Sequence, residues 1–245
     1  MKYLVFSDIH SNLEAFEKFS GLKRARAVDR YLFLGDLVGY GPNPNEVIDR
    51  FRELSGVSFV RGNHDKVISN LESSSLFNPA AAFSAEWSKL HISEENLRYL
   101  KDLPRGPAVV DGFITLCHGS TFDEDYYVFS VFEAAESLRM MENSIGFFGH
   151  THFPIIYMLR NGKIDVVALQ DSCKIKLDSN TRYLVNPGSI GQPRDKNPNP
   201  SFVIYDSSRR EIQFIRFNYD YATTQRKIRE AGLPELLASR LESGV

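Results

Sequence analysis

The segment Tyr3-Leu4-Val5-Phe6-Ser7-Asp8-Ile9-His10 contains the pattern that decides the fold. A short apolar run of this kind, followed by a helical pattern, is typical of a strand in a βαβ unit. This run ends directly in a carboxylate and an imidazole. The same order recurs four more times along the chain, so the sequence predicts a largely parallel sheet in its first half.

The four later apolar runs also end in polar side chains. They precede Gly35-Asp36, Arg61-Gly62-Asn63-His64-Asp65, Cys117-His118-Gly119 and Gly149-His150-Thr151-His152. Ligands bind beyond the carboxyl ends of the strands in open α/β sheets, so we expect these side chains to meet at one edge. Five of the six histidines belong to this set. The exception, His91, is expected on the surface near the end of a helix.

Helices are predicted between the strands from their start signals. Ser11-Asn12-Leu13-Glu14 fits a capping box, and apolar residues follow it at helical spacing. Proline in a first turn indicates two further helices, after Asn43 and after Asn78. Two more are predicted over residues 93–101 and 130–143.

The second half of the chain has the pattern of antiparallel strands. Asn161-Gly162 suits a type I′ turn, which predicts a hairpin between residues 155–159 and 163–168. Further strands are predicted near 183–185, 202–205 and 211–217, and a C-terminal amphipathic helix near 222–241. We therefore expect a single domain over residues 1–245, in which two sheets pack together with helices outside.

Composition excludes several classes of protein. The chain has 245 residues, 42% of them apolar, and a net charge of −2, which is typical of a globular protein and not of a disordered one. No apolar stretch approaches the roughly 20 residues that span a bilayer, so we expect no membrane association. The amino terminus turns acidic before a signal peptide could form, and two cysteines favour the cytoplasm. Near-neutral charge also argues against general nucleic-acid binding.

The strand-end residues indicate a metal site with two ions. The seven candidate ligands, which are too many for one ion, are Asp8, His10, Asp36, Asn63, His118, His150 and His152. Imidazole and carboxylate without thiolate suit Mn, Fe or Zn better than Ca. Two ions that share one carboxylate would use all seven and could bind a reacting phosphate. We expect each i, i+2 pair to lie on an extended segment with both side chains on one side.

This ordered set of motifs resembles the calcineurin-like metallophosphoesterases, over about residues 3 to 205. The resemblance implies an α/β fold, a four-layer sandwich of two mixed β-sheets flanked by helices. It implies one metal held by Asp8, His10, Asp36 and His152, and another held by Asp36, Asn63, His118 and His150. It also implies that His64 donates a proton to the leaving group or steadies the transition-state oxygens. The expected cofactors are two divalent ions, Mn²⁺ before Fe, Zn, Ni or Co.

Departures from the family pattern suggest a subfamily. Gly39 and Tyr40 stand where the protein Ser/Thr phosphatases have an Asp-Arg pair, so His64 lacks an acidic partner and protein phosphatase activity is not expected. The segment from Asn186 to Asp195 resembles the YfcE-like phosphodiesterase branch. Residues 39–44 are instead similar to relatives that include dinucleoside tetraphosphate hydrolases.

These features predict a phosphodiesterase that cleaves a small phosphodiester or phosphoanhydride by attack of a metal-bridging hydroxide. Alternatives are a dinucleoside tetraphosphate hydrolase, a phosphomonoesterase or, less favoured, a non-catalytic protein-binding scaffold. The substrate is expected to be a small phosphorylated compound, with a nucleotide as one option. Asn12 and Arg194 are candidate phosphate-binding residues, although Asn12 could cap a helix, as could Asp65, and Arg194 could be a surface residue. The sequence leaves the oligomeric state open.

Overall fold

A computed structural model describes residues 1–245 and contains two six-stranded β-sheets. In spatial order, the first sheet contains β3 (Val57–Phe59), β2 (Arg30–Phe33), β1 (Lys2–Phe6), β11 (Ser201–Asp206), β12 (Glu211–Arg216) and β9 (Cys173–Lys176). The second contains β4 (Ala108–Val110), β5 (Ile114–Leu116), β6 (Ile145–Phe147), β10 (Arg182–Asn186), β7 (Ile155–Arg160) and β8 (Lys163–Ala168).

Nine α-helices accompany the sheets. They are α1 (Leu13–Gly21), α2 (Lys23–Arg26), α3 (Pro44–Arg52), α4 (Asn63–Ile68), α5 (Pro79–His91), α6 (Glu94–Lys101), α7 (Val131–Met140), α8 (Tyr221–Glu230) and α9 (Glu235–Ser243). None of these helices is both long and apolar enough to cross a bilayer.

The five predicted strands are present, but they are divided between the two sheets. β1, β2 and β3 run parallel in the first sheet. β5 and β6 run parallel in the second, where β10 continues the parallel set. The other strand pairs in both sheets are antiparallel, so both sheets are mixed. The polar residues therefore come from two sheet edges.

Alternating side chains of β1 supply two separate cores. Leu4 and Phe6 pack beneath α1 and α3, in a cluster that includes Phe16 and Phe51. Because successive side chains of a strand point to opposite faces, Tyr3 and Val5 lie in the other core, between the two sheets. On the far face of the second sheet, α7 covers Leu184 and Tyr157. The result is the predicted four-layer sandwich of two mixed β-sheets flanked by helices.

Local sequence signals predicted several elements correctly. The hairpin of β7 and β8 turns through Asn161 and Gly162, both with positive φ, as a type I′ turn requires. The predicted helices over 93–101 and 130–143 are α6 and α7, capped by Ser93 and Ser130. The cap of α1 differs from the prediction, because Asn12 and not Ser11 accepts the hydrogen bond from Ala15 N.

The single C-terminal helix predicted near 222–241 is wrong. The structure has two helices there, α8 and α9, separated by residues 231–234. Gly232 adopts φ +68°, and Pro234 can donate no backbone hydrogen bond, so the helical ladder stops between them. The chain therefore turns back, and α9 packs on α8.

The sequence patterns missed several short elements. β4 and β9 are edge strands of three and four residues, and α2 has only four residues. Segments this short contain too few residues for a periodic apolar pattern. The most important omission is α4, because its first two residues are Asn63 and His64.

Candidate metal centre

Two buried groups of side chains that could each hold a metal ion share the carboxylate of Asp36. The first group is Asp8, His10, Asp36 and His152, and the second is Asp36, His118 and His150. Within each group the ligand atoms lie within 4.8 Å of one another. Asn63 adjoins the second group, since its Oδ1 lies 3.2 Å from His118 Nε2. The structure thus brings together all seven predicted ligands.

The backbone at these ligands is left-handed. Five of them have φ between +50° and +65°, namely Asp8, His10, Asp36, His150 and His152. Non-glycine residues rarely adopt this conformation, which is strained and concentrates at functional sites. The prediction that the i, i+2 pairs lie on extended segments is therefore wrong. Each pair lies on a tight turn after its strand, and the turn directs both side chains into the cluster.

Backbone carbonyls orient three of the four imidazoles. Nδ1 of His10 lies 3.0 Å from the Val38 oxygen, and Nδ1 of His118 lies 2.8 Å from the Leu34 oxygen. His152 makes the equivalent contact, at 2.6 Å, with the oxygen of Gln192. A carbonyl accepts only, so each Nδ1 carries the proton and each Nε2 presents a lone pair to the cluster. This is the usual way in which proteins prepare a histidine for a metal.

The lone pairs of the cluster face one another. Nε2 of His10 lies 3.0 Å from Nε2 of His152, although both nitrogens are acceptors in this tautomer. Asp36 Oδ2 lies 3.5 Å from Nε2 of His10 and 3.4 Å from Nε2 of His118. Asp8 Oδ2 and Nε2 of His150 are buried without a hydrogen-bond partner. Acceptors packed in this way are able to hold a cation, and the donor set suits divalent transition metals.

Burial and neighbouring charges shift the pKa values of the residues in this cluster. Burial lowers the pKa of His10, His150 and His152 well below its usual value, so these imidazoles are neutral. Burial also raises the pKa of Asp8 to about 7. For His118, burial opposes protonation, but the carboxylate of Asp36 outweighs it and raises the pKa to about 10. Burial therefore keeps three imidazoles in the neutral form that binds metals, whereas Asp8 and His118 hold their protons more tightly than usual.

Asp65 organises the loop that carries the shared ligand. Its carboxylate accepts backbone hydrogen bonds from Asp36, Leu37, Val38 and Gly62, at 2.9 to 3.2 Å. The helix-cap alternative for this residue is thus correct, since Gly62 precedes α4. Three of the four donors nevertheless belong to the metal-binding loop. The available sequence signal was a carboxylate directly after Asn63-His64. The backbone N–H of Asp36 that it accepts from is 29 residues away, so the sequence did not reveal the contact.

His64 lies among aromatic rings with no acidic partner. Its ring centroid is 4.4 Å from that of Tyr40, 4.5 Å from that of Phe77 and 4.9 Å from that of His10. Nδ1 is buried without a hydrogen bond and faces Gly39, where an added Cβ would approach within 2.4 Å of it. Desolvation lowers the pKa of His64 to about 4, so the ring is neutral. The structure therefore places no carboxylate against the His64 ring, as the residues Gly39 and Tyr40 implied.

Two further residues, to which the sequence assigned no role at the metal centre, support the cluster. Asn186, at the end of β10, donates to Gly149 O at 2.7 Å and to Thr151 Oγ1 at 3.0 Å, which fixes the turn between His150 and His152. Tyr127 stacks on His150 with ring centroids 3.6 Å apart. Both contacts join segments that are distant in the chain, so no local pattern indicated them.

The two predicted phosphate-binding residues have different surroundings. Asn12 is buried, accepts from Ala15 N and Thr224, and donates to Gly191 O and the Tyr219 hydroxyl. Its amide therefore has no free group for a phosphate in this conformation. Arg194 is half-buried beside Tyr40 and donates to Gln192 Oε1 at 2.8 Å. Arg194 forms no ion pair, and it remains a candidate for binding an anion.

The surface position predicted for His91 agrees with the structure, and the cysteine next to His118 lies in the core. His91 ends α5 on the surface. Cys117 is fully buried in the core beneath α7, and burial raises the pKa of its thiol to about 12. A protonated thiol directed into packing is a poor metal ligand.

The fold and this donor set define a metal-dependent phosphoesterase. The chain belongs to the calcineurin-like phosphoesterase superfamily, whose sequence model matches residues 1–210. The resemblance noted from the motifs is therefore confirmed, and the protein is a hydrolase of phosphoric ester bonds.

Several relatives are similar over most of their length. The uncharacterized protein MJ0912 of Methanocaldococcus jannaschii is 36% identical over 98% of this chain and 97% of its own. A metallophosphoesterase from Sphaerobacter thermophilus has a crystal structure with a TM-score of 0.86 and 37% identity, covering 100% of this chain and 99% of that one. Phosphodiesterase YfcE of Escherichia coli is 26% identical over 81% of this chain and 84% of its own, which supports the predicted branch.

Proposed function

We propose that this protein is a dinuclear metal phosphodiesterase that hydrolyses a small phosphodiester or phosphoanhydride. The observation that carries the proposal is the position of Asp36, which belongs to both donor groups. A carboxylate shared by two sites is what a pair of ions about 3.5–4 Å apart requires. Similarity to a relative named as a phosphodiesterase supports the choice of a diester over a monoester.

Asp8, His10, Asp36 and His152 would hold one ion, and Asp36, Asn63, His118 and His150 the other. Two divalent ions supply Lewis-acid polarisation of the phosphoryl oxygens and activation of water when they are bound. We take Mn²⁺ as the first ion to test, with Fe, Zn, Ni and Co as alternatives, because nitrogen and oxygen donors without thiolate suit all of these ions. The two free cysteines, Cys117 and Cys173, accord with a reaction in the cytoplasm.

His64 steadies the developing negative charge on the transferred phosphoryl group in this proposal. Its Nδ1 is enclosed against Gly39, which leaves Nε2 as the nitrogen available to a substrate. No carboxylate contacts the ring to hold it protonated. A neutral imidazole that donates one hydrogen bond stabilises a transition-state oxygen without serving as the proton donor.

The test uses protein reconstituted with Mn²⁺ and bis-p-nitrophenyl phosphate as substrate. Asp36→Asn should lower kcat at least a thousandfold, because one change weakens both metal sites. Asp102→Asn is the matched control, since Asp102 is an exposed carboxylate at the end of α6. Circular dichroism should show that both variants are folded. Near-wild-type turnover by Asp36→Asn would show that the dinuclear proposal is wrong.

A further inference from the structure

Two arginines from distant parts of the chain lie against the same tyrosine beside the metal centre. The Cζ atom of Arg194 is 5.7 Å from the Tyr40 ring centroid, and that of Arg240 is 6.0 Å from it. The Tyr40 centroid is itself 4.7 Å from that of His10 and 4.4 Å from that of His64. Both guanidinium groups therefore lie near the ring that also contacts His10 and His64.

Neither arginine is neutralised by an acidic side chain. Arg194 donates to the Gln192 amide oxygen and, at 3.4 Å, to the Tyr40 hydroxyl. Arg240 donates to an oxygen of the main-chain carboxyl group of Val245, the last residue of the sequence. Other arginines with little exposure do pair, as Arg61 does with Glu124 at 2.9 Å. Arg194 thus has no carboxylate partner, and Arg240 has only the main-chain carboxyl group of Val245, so an anion bound near both would stabilise the pair further.

The electrostatic environment of Arg240 reflects this repulsion. Burial and the positive charge of Arg194 together lower the pKa of Arg240 to about 10. Its guanidinium is still charged at neutral pH. An anion bound near both arginines would offset this repulsion.

The fold holds the two arginines together before any ligand binds. The apolar face of α9, with Leu237 and Leu241, packs in one cluster with Tyr40. The end of this helix is tied to the Arg194 loop, because Lys196 N donates to Gly244 O at 2.8 Å. A pair of cations fixed by packing loses little entropy when it binds an anion.

We propose that Arg194, Arg240 and Tyr40 form a second phosphate subsite, so that the substrate carries a further phosphoryl group beyond the one that is cleaved. Substrates of this class are phosphoanhydrides and compounds with two linked phosphates. Guanidinium groups bind such oxygens in pairs, which suits a diphosphate or longer group. The inference rests on the proposed function. It concerns a part of the chain, α9, that lies beyond residues 1–210 of the family match.

The experiment measures inhibition of bis-p-nitrophenyl phosphate hydrolysis by tripolyphosphate and by orthophosphate. The wild-type protein should bind tripolyphosphate at least tenfold more tightly than orthophosphate. Arg240→Gln should lose most of this preference while its KM for the single-phosphate substrate changes less than twofold. Arg240→Lys should fall between the two. Arg226→Gln is the matched control, because Arg226 is exposed on α8 and pairs locally with Glu230.

The controls separate the subsite from other effects. Removal of metal ions by tripolyphosphate would affect all variants equally, so only a difference between Arg240→Gln and Arg226→Gln supports the subsite. An unchanged preference in Arg240→Gln would overturn it. Calorimetric titration of tripolyphosphate into the Mn²⁺-loaded protein needs no turnover. It therefore still decides the subsite if the diester is not hydrolysed and the proposed function fails.

Discussion

At the scale of single residues, the site depends on side chains held in unfavourable backbone conformations. Asp8, Asp36 and His150 all have positive φ, at 56°, 58° and 65°. Each such residue costs on the order of 1 kcal/mol relative to an ordinary conformation. The surrounding hydrogen bonds offset this cost, as in Asp8 N to Gly35 O at 3.0 Å. The ligands are therefore positioned by the fold before a metal binds.

The first prediction concerns Gly39, which faces His64. Gly39→Ala should lower kcat at least tenfold, a loss in the range of one misplaced catalytic group. The reason is that a Cβ at this position would come within 2.4 Å of His64 Nδ1 and displace the ring. Steady-state kinetics with bis-p-nitrophenyl phosphate measures the effect.

Gly56→Ala is the control for this change. Gly56 also has positive φ, at 70°, but an added Cβ there meets nothing within 4 Å. Both variants should lose about 1 kcal/mol of stability from the backbone alone, and only Gly39→Ala should lose activity. Equal activity in the two variants would show that the placement of His64 does not matter.

At the scale of elements, the start of α4 positions the loop after β2. Asp65 lies in the first turn of this helix and binds the backbone of Asp36 and Leu37. One carboxylate therefore connects the segment that holds Asn63 and His64 to the segment that holds the shared ligand. The helix is too short for a periodic pattern to reveal it, yet this contact ties it to the loop that holds Asp36.

The second prediction tests this connection through Asp65→Asn. The amide would place an NH₂ group against backbone donors that now bind a carboxylate oxygen. We expect a loss on the order of 3 kcal/mol, because buried donors are left without acceptors. For a chain of this size the midpoint of thermal unfolding should fall by roughly 6–12 °C.

Asp220→Asn provides the comparison. One oxygen of Asp220 caps α8 at the surface by accepting from Thr223 N, and an amide oxygen can replace it. The other oxygen accepts from the Thr223 hydroxyl, which can instead accept from an amide NH₂ group. Its unfolding midpoint should change by less than about 2 °C, since exposed substitutions of this kind have small effects. A similar small change in Asp65→Asn would contradict the organising role of Asp65.

At the scale of the whole molecule, the proposed metal centre joins the two sheets. Asp8 and Asp36 follow strands of the first sheet, whereas His118 and His150 follow strands of the second. Ions bound by all four would cross-link the layers at one edge. The third prediction is that loading with Mn²⁺ stabilises the entire fold against unfolding.

Each occupied site should add about 2.7 kcal/mol at a metal concentration 100 times its dissociation constant. The midpoint of thermal unfolding should therefore rise by roughly 5–10 °C per site. Ca²⁺ is the control ion, since imidazole-rich sites bind it poorly, and Asp36→Asn should lose most of the Mn²⁺ effect. An equal rise in Asp36→Asn would show that Mn²⁺ stabilises the protein from another location.

Much of the site was predictable because its signals are local. An apolar run that ends in Asp8 or His118 identifies both a strand and the ligand beyond it, and neighbouring residues suffice for that. The same holds for the start of α5 after Asn78 and for the Asn161-Gly162 turn. The break between α8 and α9 was also encoded locally, in Gly232 and Pro234, but the amphipathic pattern on either side obscured it.

The sequence by itself determined which residues could bind metal, that strands precede them and that helices and antiparallel strands follow. Only the tertiary structure decided that these strands divide between two sheets, that the ligands occupy left-handed turns and that Asp65 holds the Asp36 loop. It alone placed Arg240 against Tyr40, 200 residues earlier in the chain. Local patterns reflect the preferences of neighbouring residues, whereas pairings between distant segments depend on how whole layers pack and exclude water.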